Sequence, residues 1–216
     1  MGRLALVVGS HARDFAPPRG EWATLKRHGE GQRYALPHEI DHGRNMRGLV
    51  EAGCDRVLAI GSAGGLSPEL GPGRFVCPDD FIAFDAPPAT ALEGVAAHRV
   101  PGFDDGWRDE VLQAFTAAGT RVADGGVYWQ ATGPRLETRA EIRLVAQHAD
   151  VIGMTVASEC VAAGELGLRY AAVCLVDNFA NGIADTELML PELEAARAEH
   201  VGVLAAALET TLPTLS

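Results

Sequence analysis

Unbroken apolar runs alternate along this chain with stretches in which apolar residues recur every three or four positions, and that alternation predicts an α/β fold. Residues 4–8 (LALVV), 56–60 (RVLAI), 75–77, 81–84, 127–131 and 170–176 form runs of strand length. Met46, Leu49 and Val50 fall at helical spacing within 41–52, and Gly53 supplies a stop. The same spacing predicts helices over 107–118, 138–147, 157–166 and 191–212. No repeat or low-complexity tract breaks the order. The expected fold class is α/β, a single-domain sandwich over residues 1–216 with a central mixed sheet flanked by helices.

The polar residues that close these runs carry the candidate chemistry. Gly9-Ser10 follows the first run, and Gly61-Ser62-Ala63-Gly64-Gly65 reads as a glycine-rich turn after the second. Gly153-Met154-Thr155 follows 149–152, Glu137 lies just past 127–131, and Asp177-Asn178 directly follows 170–176. Ligands of open α/β sheets bind outside the carboxyl ends of strands, so these groups fall where a small molecule sits. Glycine lets backbone N–H groups approach an oxyanion, and serine or threonine adds a hydroxyl donor. Lys26-Arg27-His28 before Gly29 suits an anion as well. Each residue also has a plain structural reading: an ordinary turn for Ser10, a helix cap for Thr155, first-turn carboxylates for Glu137 and Glu159, a solvated surface for residues 26–28.

Composition narrows the function. A formal net charge of −11 over 216 residues argues against a sequence-independent grip on nucleic acid. The cysteines, Cys54, Cys77, Cys160 and Cys174, form no C-x-x-C pair, so structural zinc is not expected, and reduced buried thiols fit a cytoplasmic protein. No apolar stretch near the amino terminus is long enough to span a membrane, and no signal-peptide cleavage pattern follows it. Neither G-x-G-x-x-G nor a Walker A sequence is present, which leaves little support for a dinucleotide or nucleoside triphosphate site.

Seven elements in order then define a resemblance: VVGS at 7–10, KRHG at 26–29, PHEIDHGRNM at 37–46, GSAGGL at 61–66, GGVYWQATGPRLETRAE at 125–141, ADVIGMTVASE at 149–159 and VDNFANGI at 176–183. The chain resembles the trimeric purine nucleoside phosphorylase and 5′-methylthioadenosine phosphorylase family. That resemblance implies cleavage of a purine nucleoside's N-glycosidic bond with inorganic phosphate as co-substrate and no other cofactor, giving free base and a pentose 1-phosphate. It implies a phosphate site of Ser10, Arg27, His28, Ser62 and Thr155. Met154 would pack on the ribose, Glu137 and Asn178 would face the base, and Asp177 would protonate or hydrogen-bond the departing purine. His98 would reach a neighbouring subunit's 5′ pocket in a homotrimer, and Leu190, with residues 188 and 189, would form an apolar wall for a 5′-deoxy or methylthio group.

The base preference is mixed at this level. Glu137 is similar to the residue that receives N1–H of 6-oxopurines, whereas Asp177 is similar to the one that receives a 6-amino group. The balance of these features points to an adenine-type base, with 5′-deoxy-5′-methylthioadenosine or a related 5′-deoxy nucleoside as the expected substrate. A 6-oxopurine nucleoside phosphorylase stays open. So does a nucleosidase using water, because the segment between Ser10 and Lys26 is shorter than the family's and Gln32 stands where the family usually has a histidine.

Overall fold

The computed structural model describes residues 2–10, 16–29, 34–84, 86, 89–184 and 190–216, with 190–199 described by backbone alone. Nine strands and five α-helices follow one another among these residues: β1 (Arg3–Val8), β2 (Ala23–Lys26), α1 (His42–Glu51), β3 (Cys54–Gly65), β4 (Phe75–Cys77), β5 (Asp80–Ile82), α2 (Asp105–Ala117), β6 (Val122–Asp124), β7 (Val127–Gln130), α3 (Arg139–Val145), β8 (Val151–Gly153), α4 (Val156–Glu165), β9 (Arg169–Phe179) and α5 (Leu190–Leu215). The expected mixed sheet with flanking helices is the observed architecture.

Alternation along the central strands sorts side chains onto two faces. Ala5 and Val7 of β1 and Val57 and Ala59 of β3 join Met46 and Leu49 of α1 and Val156 and Cys160 of α4 in one core. Leu4, Leu6, Val8, Leu58 and Ile60 point the other way, onto Trp107 and Phe115 of α2 and Leu204 and Leu208 of α5. Each fully buried Val, Leu, Ile, Phe or Met among them contributes about 1.5–3 kcal/mol, and the alanines less. A smaller cluster of Leu66, Ile142, Val145 and Ile152 seats α3.

The sheet is organised on β3. One edge of it pairs in parallel with β9 over its whole length, from Arg56↔Arg169 to Gly65↔Phe179. The other edge changes partner. β1 pairs in parallel as far as Val8↔Ile60, and β8 pairs antiparallel at Gly64↔Ile152 and Gly65↔Val151. The carboxyl ends of β1 and β8 therefore approach each other along one edge, with Gly61 to Ala63 between them. That opening is the crevice a sheet offers a ligand where neighbouring strands part.

Two strands run well beyond the sequence reading, and the run at 81–84 ends sooner, as Asp80–Ile82. The glycine-rich segment is not a turn: β3 runs on through Gly65. A Cβ at Gly61 would lie 3.0 Å from Cys174 Sγ and 3.2 Å from Val156 Cγ2, so a residue without a side chain is what allows helix and strand to close on it. Likewise β9 does not stop at Val176 but continues to Phe179.

Candidate active site

A cavity of about 200 Å³ opens at this parting of strands. Ser10, Arg27 and His28 line it from the ends of β1 and β2, Ser62 from β3, and Met154 and Thr155 from the link between β8 and α4. Glu137, Asp177 and Asn178 line it too. Nine of the residues singled out from the sequence thus share one space, although they are dispersed over most of the chain.

Asp177 and Asn178 are consecutive, and in a regular strand they would face opposite sides of the sheet. A bulge resolves this. Ala63 pairs with Val176 but Gly64 pairs with Asn178, so Asp177 is the extra residue. Ser62 Oγ donates to Asp177 Oδ2, and Asn178 Nδ2 donates to the Phe179 carbonyl at 2.6 Å. The Ser62 hydroxyl proton is therefore spent on Asp177, and what Ser62 can offer an oxyanion is its backbone. Glu137 is half-buried, and Asn181 Nδ2 holds its carbonyl at 3.1 Å. Burial pushes the Glu137 carboxyl above its ordinary range.

Thr155 occupies the N-cap position of α4, yet its side chain makes no capping bond. Gln130 takes that part: its Oε1 accepts from Ser158 N–H, the third residue of the helix, at 2.9 Å, while the Tyr128 hydroxyl oxygen accepts from Thr155's own N–H at 3.4 Å. A Cβ on Gly153 would collide with that hydroxyl, which is why glycine stands there. The Thr155 hydroxyl is left to the cavity, at the positive end of a helix dipole.

The basic cluster differs from the sequence reading in a way its local pattern does not reveal. Arg27 is 3% exposed and its guanidinium is clamped by Glu159, Nε to Oε1 at 2.9 Å and Nη2 to Oε2 at 2.6 Å. Tyr170 donates its hydroxyl to the same Glu159 at 2.7 Å. Glu159 does sit in the first turn of α4, but it is fully buried and serves as a counter-ion, not as a surface carboxylate. His28 donates Nδ1–H to the Ala35 carbonyl at 2.8 Å and stacks on Tyr34. Burial, with the Arg27 charge beside it, lowers the His28 pKa to about 4, so His28 is a neutral imidazole and not the third cation of an anion site. Its Nε2 is then an acceptor, suited to a protonated oxygen.

His98 is exposed after the short 3₁₀ helix Gly94–Ala97 and does not line this cavity. Residues 188 and 189, the Leu190 side chain and Gln32 lie outside the described residues. Among the described residues, no group of three or more His, Cys, Asp or Glu side chains converges as a metal site requires.

Comparison with known proteins fixes the class to which this fold and pocket belong. Residues 19–213 match the model of the Phosphorylase superfamily, and the chain belongs to that family. It is 38% identical over 172 residues to a protein named as a probable 6-oxopurine nucleoside phosphorylase of Archaeoglobus fulgidus, covering 79% of this chain and 70% of that one. It is 33% identical over 195 residues to a probable S-methyl-5′-thioinosine phosphorylase of Pseudomonas syringae pv. tomato, covering 87% and 79%. The fold superposes on methylthioadenosine phosphorylase from Schistosoma mansoni with adenine bound, at TM-score 0.84 and 21% identity over 99% of this chain and 91% of that one.

Proposed function

We propose that this protein is a pentosyltransferase that cleaves a purine nucleoside with inorganic phosphate, releasing the base and a pentose 1-phosphate, and that its substrate is a 6-oxopurine nucleoside with a 5′-deoxy-5′-methylthio or similar group. The observation that carries the reading is the single cavity that Ser10, Arg27 and Thr155 share with Glu137, Asp177 and Asn178. Cleavage builds positive charge on the sugar and negative charge on the purine. Phosphate held by the Ser10 and Thr155 hydroxyls, the Ser62 backbone and an Arg27 N–H is the nucleophile and also faces the developing sugar cation. Asp177 in its carboxylic acid form, with Oδ2 held by the Ser62 hydroxyl, supplies a proton or hydrogen bond to N7, Asn178 donates to the base edge, and Met154 covers the ribose.

Both base readings have support, and two observations favour the 6-oxopurine one here. Glu137 lines the cavity, and a carboxylate there matches the N1–H that a 6-oxopurine has and a 6-aminopurine lacks. The sequence relatives carry 6-oxopurine or thioinosine in their names. A 6-aminopurine substrate keeps one argument, the Asp177 carboxylate on the same wall. Initial rates on inosine, adenosine and their 5′-methylthio forms, at saturating phosphate, decide the matter. The expected order places 5′-methylthioinosine first and the adenosine pair at least tenfold lower in kcat/KM; the reverse order overturns the base reading.

No helix among the described residues is long and apolar enough to cross a membrane. A cytoplasmic homotrimer, with His98 of one subunit entering the 5′ pocket of the next, completes the reading and is tested by mass in solution and by a His98→Ala variant. That variant should raise the KM for the methylthio nucleoside and leave the KM for phosphate unchanged.

A further inference from the structure

Arg27 presents an unusual case for a residue placed to hold an anion, because its charge is already matched. Both guanidinium nitrogens on one edge bind Glu159, and Nη1 donates to the Ile60 carbonyl at 3.3 Å. Three of its five N–H groups are thus committed among the described residues, leaving one on each Nη, and Arg27 still lines the cavity with Ser10 and Thr155. The side chains of the pair are 1% and 0% exposed. An ion pair so deeply buried is weak evidence for stability, since desolvating both charges offsets most of their attraction. Its geometry points to another use.

We propose, on the phosphorolytic reading above, that Glu159 and Tyr170 are positioning residues that fix the Arg27 guanidinium so that its two uncommitted N–H groups face the phosphate. A guanidinium is a planar fork, and a bidentate carboxylate on one edge sets the direction of every other N–H. Tyr170, on β9, fixes the carboxylate in turn, and Gly9 lets the plate lie against the end of β1, since a Cβ there would come within 2.6 Å of Nη1. Burial alone would raise the Glu159 pKa, but the Arg27 charge outweighs it and holds the carboxyl below its usual range, so the clamp is ionised. With the cation compensated, the phosphate is gripped by direction and not by excess charge, which suits a co-substrate that must leave as a sugar ester at each turnover.

The test is steady-state kinetics of Glu159→Gln and Tyr170→Phe with phosphate and nucleoside varied separately. Glutamine keeps the shape but sets an NH₂ against an Arg27 N–H; the expected result is a phosphate KM raised at least tenfold, with the nucleoside KM within twofold of wild type. Tyr170→Phe keeps the ion pair and should raise the phosphate KM severalfold, and it carries the test if the glutamine variant fails to fold. A phosphate KM that is unchanged or lower, or a loss of kcat with no KM split, overturns the proposal. A wild-type protein whose turnover ignores phosphate defeats the phosphorolytic reading itself, a separate outcome visible before any variant is made.

Discussion

The hydroxyl of Ser62 donates to Oδ2 of Asp177, tying the middle of the central strand β3 to the bulge in β9. This bond orients a carboxylate that is 3% exposed toward the cavity, and the bulge brings Asn178 to the same wall. Removing the carboxylate removes the group assigned to the leaving purine. Asp177→Ala should lower kcat by about 10²–10⁴-fold, the usual span for a positioned proton donor, with an unchanged circular dichroism spectrum. Asn178→Asp should move preference toward 6-aminopurines, because an acceptor then meets the exocyclic amine; unchanged rate ratios for inosine and adenosine would contradict this.

How far the sequence foretold these features depends on whether their signal is local. The runs at 4–8 and 170–176 read as strands because burial on both faces needs continuous apolar residues. The glycines at 61–65 misread as a turn because flexibility and close packing call for the same residue, and only the neighbours Cys174 and Val156 distinguish them. β2 (ATLK) and β6 (VAD) are too short and polar to announce themselves, and they appear only through pairing with β1 and β4. The nine cavity-lining residues were legible by motif. Glu159 was not, since its partner Arg27 lies 132 positions away and a first-turn carboxylate looks the same with or without it. Nor could alternation foresee that Asp177 and Asn178 share a wall, because a bulge is a property of the pair of strands.

Tyr128 is the next point of control. Its hydroxyl oxygen accepts the backbone N–H of Thr155 and so fixes the residue at the head of α4, whose capping bond comes from Gln130. In Tyr128→Phe, that buried N–H loses its partner and the backbone that presents the Thr155 hydroxyl to the cavity loses its anchor. A loss of about 1–2 kcal/mol in urea unfolding is expected, together with a higher phosphate KM. Gly153→Ala should act in the same direction and more strongly, since the new methyl collides with the phenol. A Tyr128→Phe protein with wild-type stability and phosphate KM would remove this role.

Acid should begin to weaken the fold as soon as pH drops below the pKa of an ordinary histidine. Burial lowers the pKa of both His28 and His42 to about 4, against 6.5 for an ordinary histidine. Between those values the unfolded chain binds more protons than the folded one, so stability is whole above pH 6.5 and declines as pH falls toward 4. Each tenfold difference in proton affinity corresponds to about 1.4 kcal/mol. Urea midpoints at pH 7.5, 6, 5 and 4.5 should fall progressively, and His42→Asn should flatten the slope. A midpoint constant across this range would contradict the neutral, buried state of both rings.

The central claim is that phosphate, gathered at the parting of β1 and β8, attacks the sugar of a bound purine nucleoside. The most direct measurement is base release from 5′-methylthioinosine with and without phosphate, the sugar product identified by mass. The account predicts release that rises with phosphate to saturation and a pentose 1-phosphate product. Equal rates without phosphate, with free pentose as the product, would contradict it.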